Sequence, residues 1–197
     1  MTASKHKKNS PRKEVILEKA AHLFRKHGFN ATSMRDLAEN VGVEAASLYN
    51  HISSKAELLQ EICFKIANHF TAQMNEIITT EANAIAKIEA ILRFHIRQMI
   101  HNFEEVYVSD REWKHLTDPY LSNFKNQRRV HRQRIASIIE EGIQKNEIKN
   151  IDAPTAVLIL LHAVSGIESW HRSKQKISGE QLEQNMILIL VEGLRKG

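Results

Sequence analysis

The chain has 197 residues, of which 42% are hydrophobic and 26% are charged, and its formal net charge is +5. This composition is sufficient for a hydrophobic core, and no apolar run approaches the roughly 20 residues that span a membrane. The polar, basic segment 1–12 lacks the apolar region of a secretory signal, and a single cysteine, Cys63, rules out an intramolecular disulfide. We therefore expect a cytoplasmic protein with Cys63 packed in its core.

The positive charge is concentrated towards the N-terminus. Residues 1–60 hold ten Lys/Arg and six Asp/Glu, whereas the remaining residues hold eighteen and seventeen. Such an excess is what neutralisation of DNA phosphates requires, although a solvated tail would produce it as well. We expect residues 1–10 to form a disordered tail. Four basic residues near the N-terminus either follow a DNA backbone or stay passive: Lys5, Lys7, Lys8 and Arg12.

Apolar residues recur at helical spacing almost throughout the chain, and the strict alternation that is typical of strands is absent. The pattern predicts an all-α fold of about nine helices. The first begins at Ser10-Pro11 and ends at Gly28, and two short helices follow, separated by a turn at Val41-Gly42-Val43. The remaining helices are predicted over 54–78, 84–103, a shorter stretch to Leu116, 118–145, 152–172 and 178–194.

Residues 32–58 carry the pattern of a helix-turn-helix followed at once by another helix. Ser33 and Asp36 have the spacing of a capping box at the start of the first short helix, and Ser54 and Glu57 have the same spacing at the start of the long one. A tight turn between two short helices is the arrangement that places the second helix in a DNA major groove. The pattern therefore predicts DNA binding.

Residues 14–58 closely resemble the DNA-binding domain of the TetR family of bacterial repressors. The matching positions are Ile16-Leu17, Ala20-Ala21, Leu23-Phe24, Gly28-Phe29, Thr32, Leu37-Ala38, Gly42-Val43, Leu48-Tyr49, His51, Lys55 and Leu58. The sequence departs from the family at Glu44, where Ser or Thr often caps the recognition helix, at Ala46 and at Ile52. The resemblance implies a helix-turn-helix DNA-binding domain at 11–53 and a larger helical domain for effector binding and dimerisation at 54–197.

The recognition helix is predicted over Glu44–Asn50, with Leu48 buried against the preceding helix. Arg35 and Asn50 are suited to contacts with guanine and adenine, and the resemblance implies phosphate contacts by other residues of this region. The expected DNA-contacting residues are Thr32, Ser33, Arg35, Ala45, Ser47, Tyr49, Asn50, His51 and Lys55. The alternatives are that Tyr49 and His51 only pack or cap, and that Arg35 is only solvated.

The resemblance also implies that the last two helices form a four-helix bundle with those of a second copy. Both predicted helices are apolar over too wide an arc for a single buried face, which fits a dimer, although intramolecular packing alone would also account for it. The expected interface residues are Leu158, Leu161, Val164, Ile167, Ile187 and Leu190.

An effector site is expected where apolar helices meet a row of arginines, because a cavity of that kind suits an acyl-CoA thioester. The arginines of the predicted 118–145 helix are Arg128, Arg129, Arg132 and Arg134. The expected pocket residues are Phe70, Met74, Phe94, Met99, Trp113, Phe124 and Arg128. Arg111 to Trp113 and Trp170-His171 are similar to family members that regulate fatty-acid catabolism. Alternatively, the aromatic residues are plain core and the arginines form a solvated face paired with Glu140, Glu141 and neighbouring residues.

The sequence thus predicts a homodimeric repressor that binds a palindromic operator in double-stranded DNA. A small apolar or acyl-CoA-type effector is expected to release it by shifting the predicted 54–78 helix. The alternative is a DNA-binding protein of the same fold that a protein partner controls. We expect no enzymatic activity, no metal site, no cofactor and no membrane association, because no nucleophile elbow, Gly-rich phosphate loop or metal-ligand spacing occurs, even with eleven histidines.

Overall fold

A computed structural model describes residues 11–173 and 177–196, and these ranges are helical without a strand. The α-helices are α1 (Pro11–His27), α2 (Met34–Val41), α3 (Ala45–Tyr49), α4 (Lys55–Thr80), α5 (Ala84–His101), α6 (Phe103–Arg111), α7 (Tyr120–Gln144), α8 (Ala153–Ser165), α9 (Ile167–Arg172) and α10 (Gly179–Leu194), with a 3₁₀-helix at Trp113–His115. Since α8 and α9 are one helix interrupted at Gly166, the prediction of an all-α fold with about nine helices is confirmed. The expected tail at 1–10, with the proposed cap Ser10, lies outside the described residues.

The helix ends follow the local signals of the sequence. At α2 the Ser33 side chain accepts from the backbone N–H of Asp36 while the Asp36 carboxylate accepts from the backbone N–H of Ser33, so this capping box is present. At α4 the box is incomplete: Ser54 accepts from the Glu57 N–H, but the Glu57 carboxylate accepts from Ser53 instead. The helices therefore begin where predicted, with one cap partner shifted by a residue.

Two hydrophobic cores organise the molecule, and they do not follow the predicted domain boundary. One core joins α5, α7, α8 and α10 with the second half of α4. The other joins α1, α2, α3 and the first half of α4, and it includes Cys63 as expected. This second core also takes in Val108 of α6, Leu116 and Phe124 of α7. Helices α1–α3 with the first half of α4, the predicted DNA-binding unit, thus share their core with residues of the larger domain and do not pack alone.

The last helices, α8 with α9 and α10, all pack on α5, and α10 runs antiparallel to α8 and α9. The backbone N–H of Lys149, just before α8, donates to the carbonyl of Leu194 at the end of α10, and the Trp170 indole N–H of α9 donates to the carbonyl of Ile177 just before α10. By length and composition alone, 153–172 is apolar enough to span a membrane, which the sequence analysis did not anticipate. Only a third of that window is buried within one chain, so much apolar surface remains uncovered.

Gly142 near the end of α7 tests how tightly the larger core is packed. A Cβ at this position would lie 2.6 Å from Ile148 Cδ1 and 2.8 Å from the Ala84 Cβ. We expect Gly142→Ala to lower the free energy of unfolding by about 1–3 kcal/mol, because overpacking displaces neighbouring side chains. Gly193→Ala is the matched control, since its Cβ meets nothing within 4 Å, and urea denaturation should leave it unchanged or slightly more stable. If Gly142→Ala leaves the free energy of unfolding unchanged, the residues around Gly142 are not closely packed.

Candidate functional site

The turn between α2 and α3 is fixed by backbone hydrogen bonds. Gly42 has φ of 77°, a left-handed conformation that costs a residue with a Cβ free energy, and its N–H donates to the carbonyls of Ala38 and Glu39. On the inner side of α3, Leu48 is buried with Leu37, as predicted. Glu44 caps α3 without a side-chain hydrogen bond, which agrees with its departure from the usual Ser or Thr. The short helix is therefore held from inside and presents its outer side to solvent.

The outer side of the helix-turn-helix collects most of the expected DNA-contacting residues. Arg35, Asn50 and His51 are exposed, and Tyr49 is 53% exposed although it is aromatic. Within the described part of the chain, none of these four side chains has a hydrogen-bond or ion-pair partner. Ser47 is half-buried, and the side chain of Ala45 lies outside what the structure describes. An exposed set of polar side chains without internal partners is available to a ligand.

The structure gives Lys55 a different role from the expected phosphate contact. Its ammonium group donates to the carbonyls of Phe29, Asn30 and Thr32 at 2.9–3.1 Å and lies 4.7 Å from the centroid of the Phe29 ring. An ammonium group has three protons, so these carbonyls use all of its donors. Lys55 therefore holds the loop between α1 and α2 in place.

Thr32 and Ser33 are likewise used within the protein. Thr32 is buried, and its hydroxyl donates to the Gly28 carbonyl at 2.9 Å. The Ser33 hydroxyl donates to the Asp36 carboxylate as part of the cap of α2. Both hydroxyls thus hold the α1–α2 loop and the start of α2, and phosphate contact by these residues stays a prediction.

Helix α6 connects this unit to the larger domain. Its Glu104 carboxylate is 2.9 Å from His22 Nδ1 and accepts from Arg25 Nε at 3.1 Å, so it binds two side chains of α1. Just after α6, the Glu112 carboxylate accepts from the backbone N–H of Phe29 at 3.1 Å. Both carboxylates are partly buried, where solvent screens electrostatic interactions less than at an open surface. The two ends of α6 thus contact α1 and the loop that follows it.

A cavity of about 330 Å³ lies in the larger domain, with α4, α5, α6, α7 and α8 forming its walls. Of the expected pocket residues, Phe70, Met99, Phe124 and Arg128 line it. Met74, Phe94 and Trp113 do not, and this part of the expectation is corrected. Met74 is one turn further along α4 and buried in the larger core, Phe94 packs behind Phe70, and Trp113 lies behind Phe124 and Arg128.

Two histidines meet in the cavity wall, and sequence reasoning missed their pairing. The Nε2 atoms of His95 on α5 and His131 on α7 are 3.1 Å apart, so one ring donates and the other accepts. Burial lowers the pKa of His95 well below its usual range, with a contribution from His131. Burial also lowers the pKa of His131 to about 4, with contributions from Arg134, Arg128 and Arg132. Both rings are therefore neutral at physiological pH.

The arginines near the cavity are mostly paired, but not with the expected partners. Arg128 donates to Asp110 at 2.8 Å, and Arg111 donates to Glu168 at 3.1 Å. Arg129 and Arg134 donate to amide side chains, while Glu141 pairs with Lys87 and Lys145. In the described residues these arginines thus pair with other neighbouring side chains and not with Glu140 or Glu141. Arg132 lines the cavity and has no partner in ranges 11–173 and 177–196.

The outer sides of α8 and α10 carry the most exposed large apolar residues that the structure describes. Leu158 and Ile159 are each 58% exposed, Leu188 is 64% exposed and Ile189 is 70% exposed. The other expected interface residues point elsewhere: Val164, Ile167 and Ile187 are buried in the chain's own core, and Leu161 and Leu190 are half-buried. Of the expected set, only Leu158 lies fully on the exposed face. Three of the four residues of this face were missing from the expectation, because helices that are apolar all round do not reveal which side is outermost.

Comparison with known proteins places these features in a family. Residues 16–62 match the family described as bacterial regulatory proteins, tetR family, and residues 81–194 match the tetracyclin repressor-like C-terminal domain. The HTH-type transcriptional repressor KstR2 of Mycobacterium tuberculosis is 24% identical over 190 residues, which cover 95% of this chain and 94% of KstR2. IcaR of Staphylococcus aureus, a negative transcriptional regulator of the biofilm operon icaADBC, is 27% identical over 165 residues, which cover 81% of this chain and 82% of IcaR.

Solved structures agree in fold over nearly the whole chain. The structure of KstR2 of M. tuberculosis superposes with a TM-score of 0.88 at 23% identity, covering 97% of this chain and 98% of the other. The structure of AibR in complex with isovaleryl coenzyme A and operator DNA superposes with a TM-score of 0.80 at 24% identity, covering 91% and 98%. At 23% and 24% identity, these superpositions show that the chain shares the fold of both proteins.

The histidine pair predicts a loss of stability in mild acid. In the unfolded chain each histidine has a pKa of about 6.5, whereas the folded values are lower, so below that pH the unfolded state binds more protons. The stabilisation is present above pH 6.5 or so and is lost as the pH falls towards 4. From His131 alone we expect a decrease of about 2 kcal/mol in the free energy of unfolding between about pH 7.5 and about pH 5. Urea denaturation at both pH values checks this. The control is His131→Gln, whose free energy of unfolding should decrease less over the same pH range. Equal decreases in the two proteins would contradict the prediction.

Proposed function

Because the chain belongs to the TetR family of bacterial regulatory proteins, we propose that it is a ligand-responsive transcriptional repressor that binds a palindromic operator as a homodimer. The observation that carries this proposal is that helices α4 and α6 connect an exposed helix-turn-helix with an interior cavity. KstR2 and IcaR are named as transcriptional repressor and negative regulator, which supports the sign of regulation. We place the protein in the cytoplasm and assign it no enzymatic activity.

In the proposed DNA complex, residues on the outer side of α3 and Arg35 of α2 recognise the bases. Arg35 is suited to bidentate contact with guanine and Asn50 to bidentate contact with adenine, with Ser47 and Ala45 at the groove between them. Tyr49 and His51 are available to bind phosphate, since neither has a hydrogen-bond or ion-pair partner among the residues that the structure describes. Lys55 contributes by fixing the loop before α2. Two copies of α3 about 34–36 Å apart would reach successive turns of the major groove.

The proposed effector is a small apolar molecule or an acyl-CoA thioester. A cavity of about 330 Å³ with largely apolar walls holds an acyl group but not an entire coenzyme A molecule. The coenzyme portion would lie outside, next to Arg111, Arg128 and Arg132, whose guanidinium groups suit phosphate. The AibR complex contains both isovaleryl coenzyme A and operator DNA, which supports an effector of this class for the present chain.

We propose that the effector releases DNA by displacing α6 as well as α4. Helix α6 contributes Val106, Ser109 and Asp110 to the cavity wall, while Glu104 on the same helix binds α1. An occupant that displaces this wall therefore also displaces the contact with α1. The long helix α4 carries Phe70 into the cavity and Leu58 into the core of the DNA-binding unit, so it moves with the same occupant. Regulation then requires that the effector bind the DNA-free state more tightly.

The test is a fluorescence anisotropy titration of a labelled fragment from the gene's own upstream region, at fixed salt. We expect saturable binding by a dimer and a loss of about 1–3 kcal/mol of binding free energy for Arg35→Ala on this fragment. On unrelated DNA of the same length, Arg35→Ala should bind as the unmodified protein does. Glu39→Ala, an exposed change on the same helix α2, is the control. Equal binding of both fragments would contradict a sequence-specific repressor at this promoter.

The same complex is then titrated with acyl-CoA thioesters of increasing chain length and with the matching free acids. Release by one thioester identifies the effector class, and release by a free acid points to a smaller apolar effector. Tight binding that none of them disturbs would contradict the effector proposal and leave a protein partner as the controlling agent.

The link through α6 is tested with Glu104→Gln, which weakens the contact with His22 and Arg25. We expect the releasing compound to bind as before, measured by isothermal titration calorimetry, while its concentration for half-release of DNA rises at least about fivefold. Glu89→Gln removes a comparable ion pair, with Arg93 inside α5, and should leave release unchanged. If Glu104→Gln behaves like this control, α6 does not carry the signal to α1.

A further inference from the structure

Most polar side chains in the cavity wall already have a hydrogen-bond partner within the chain. The Thr71 hydroxyl donates to the Ala67 carbonyl at 2.8 Å, and the Ser165 hydroxyl donates to the Leu161 carbonyl at 3.1 Å. The two carboxylates of the wall accept from arginine side chains. Since buried polar groups in proteins are nearly always hydrogen-bonded, a buried polar atom of this wall without a partner requires a physical reason.

The amide oxygen of Gln127 on α7 is such an atom. Gln127 lines the cavity, and its Nε2 donates to Asn68 Oδ1 at 3.3 Å. Its Oε1 is buried, and no side chain or backbone group in ranges 11–173 and 177–196 donates to it. A buried acceptor without a donor raises the free energy of the folded protein. An occupant of the cavity that donates a proton to Oε1 removes this cost, so the oxygen favours a ligand with an N–H or O–H group.

Ser109 on α6 provides a second polar group of this kind. It is buried and lines the same cavity, and its hydroxyl has no hydrogen-bond partner in the part of the chain that the structure describes. A hydroxyl both donates and accepts. The largely apolar wall thus presents one acceptor on α7 and one hydroxyl on α6, and both are available to a ligand.

The charges around the cavity limit which donor a ligand can bring. Arg111, Arg128 and Arg132 line the cavity, so an ammonium group would be repelled by three guanidinium groups. A neutral hydroxyl group avoids this repulsion. It can also accept a hydrogen bond while it donates one, which gives the Ser109 hydroxyl a possible partner in the same ligand. A plain hydrocarbon would leave both protein groups without partners.

We propose that the effector carries a hydroxyl group on its apolar part and that Gln127 Oε1 accepts the proton of this group. The inference rests on the effector cavity of the proposed function and narrows its ligand to a hydroxylated acyl group or a hydroxylated ring system. Gln127 is then a specificity-determining residue. A site that binds a hydroxyl discriminates against the analogue without it, because that analogue leaves a buried polar group of the site unpaired.

The test compares two small probes, para-fluorophenol and para-fluorotoluene, which differ only in a hydroxyl and a methyl group of similar size. Their dissociation constants are measured by fluorine NMR titration of the full chain, and the preference is the constant for the toluene divided by that for the phenol. The variant is Gln127→Met, which keeps the length of the side chain and removes the amide. Gln133→Met is the matched control, because Gln133 lies on the same helix, is exposed and does not line the cavity.

We expect Gln127→Met to lower the preference for the phenol at least about fivefold, because the phenol hydroxyl loses its acceptor. The general difference in hydrophobicity between the probes cancels in this comparison of two proteins. Gln133→Met should keep the preference of the unmodified protein. An unchanged preference in Gln127→Met would overturn the inference and leave the cavity as a ligand site. If neither probe binds the unmodified protein, both the inference and the proposed effector site are wrong, whereas DNA binding is decided separately by the anisotropy titration.

Urea denaturation gives a second readout that needs no ligand. Replacing a buried acceptor that has no partner by an apolar group should leave the free energy of unfolding of Gln127→Met unchanged or slightly higher. A clear decrease relative to Gln133→Met would show that Oε1 already has a partner, such as an enclosed water molecule, and would overturn the inference.

Discussion

The Glu104 carboxylate binds His22 and Arg25 of α1, and the helix that carries it also forms a wall of the cavity. Helix α6 has only nine residues, so its contact with α1 and its part of the cavity wall lie within about three helical turns of each other. Successive sides of this helix therefore serve three purposes: Glu104 binds α1, Val108 packs in the core of the DNA-binding unit, and Val106 faces the cavity. The orientation of the helix-turn-helix relative to the larger domain depends on this helix more than on any flexible linker.

Phe124 gives the same connection an apolar component. It is fully buried, belongs to the core that contains the DNA-binding unit, and lines the cavity. Ile66 also lines the cavity but belongs to the core of the larger domain. The cavity thus lies at the junction of two close-packed cores, where an occupant acts on both, because packed interiors respond to small displacements by repacking rather than by gradual deformation. A domain boundary at residue 53, where the helix-turn-helix pattern ends, does not separate two independent packing units.

The sequence predicted what depends on neighbours within one helical turn, and it failed where distant residues compete. The cap of α2, the turn at Gly42 and the burial of Leu48 follow from residues at most a few positions apart. For Lys55, in contrast, the family resemblance implies a phosphate contact, and nothing local indicates that it reaches carbonyls 23 to 26 positions earlier. The pairing of His95 with His131 spans 36 positions and has no local signal either. For α8 and α10 the composition indicated burial on several sides, but only tertiary packing decides which side stays exposed.

The free energy that couples effector binding to DNA release limits which contacts can produce it. Allosteric coupling of about 1–3 kcal/mol is typical, whereas solvent-exposed ion pairs contribute about 0–1 kcal/mol each. Rearrangement of Arg111–Glu168 and Arg128–Asp110 by an anionic ligand therefore reaches only the lower part of that range, because these side chains are substantially exposed. The remainder has to come from apolar contacts, where each buried methylene contributes about 0.8 kcal/mol. Since Phe124 lines the cavity and belongs to the core that contains α1 and Leu48 of the recognition helix, the proposed effector would act through its apolar part rather than through its charged part.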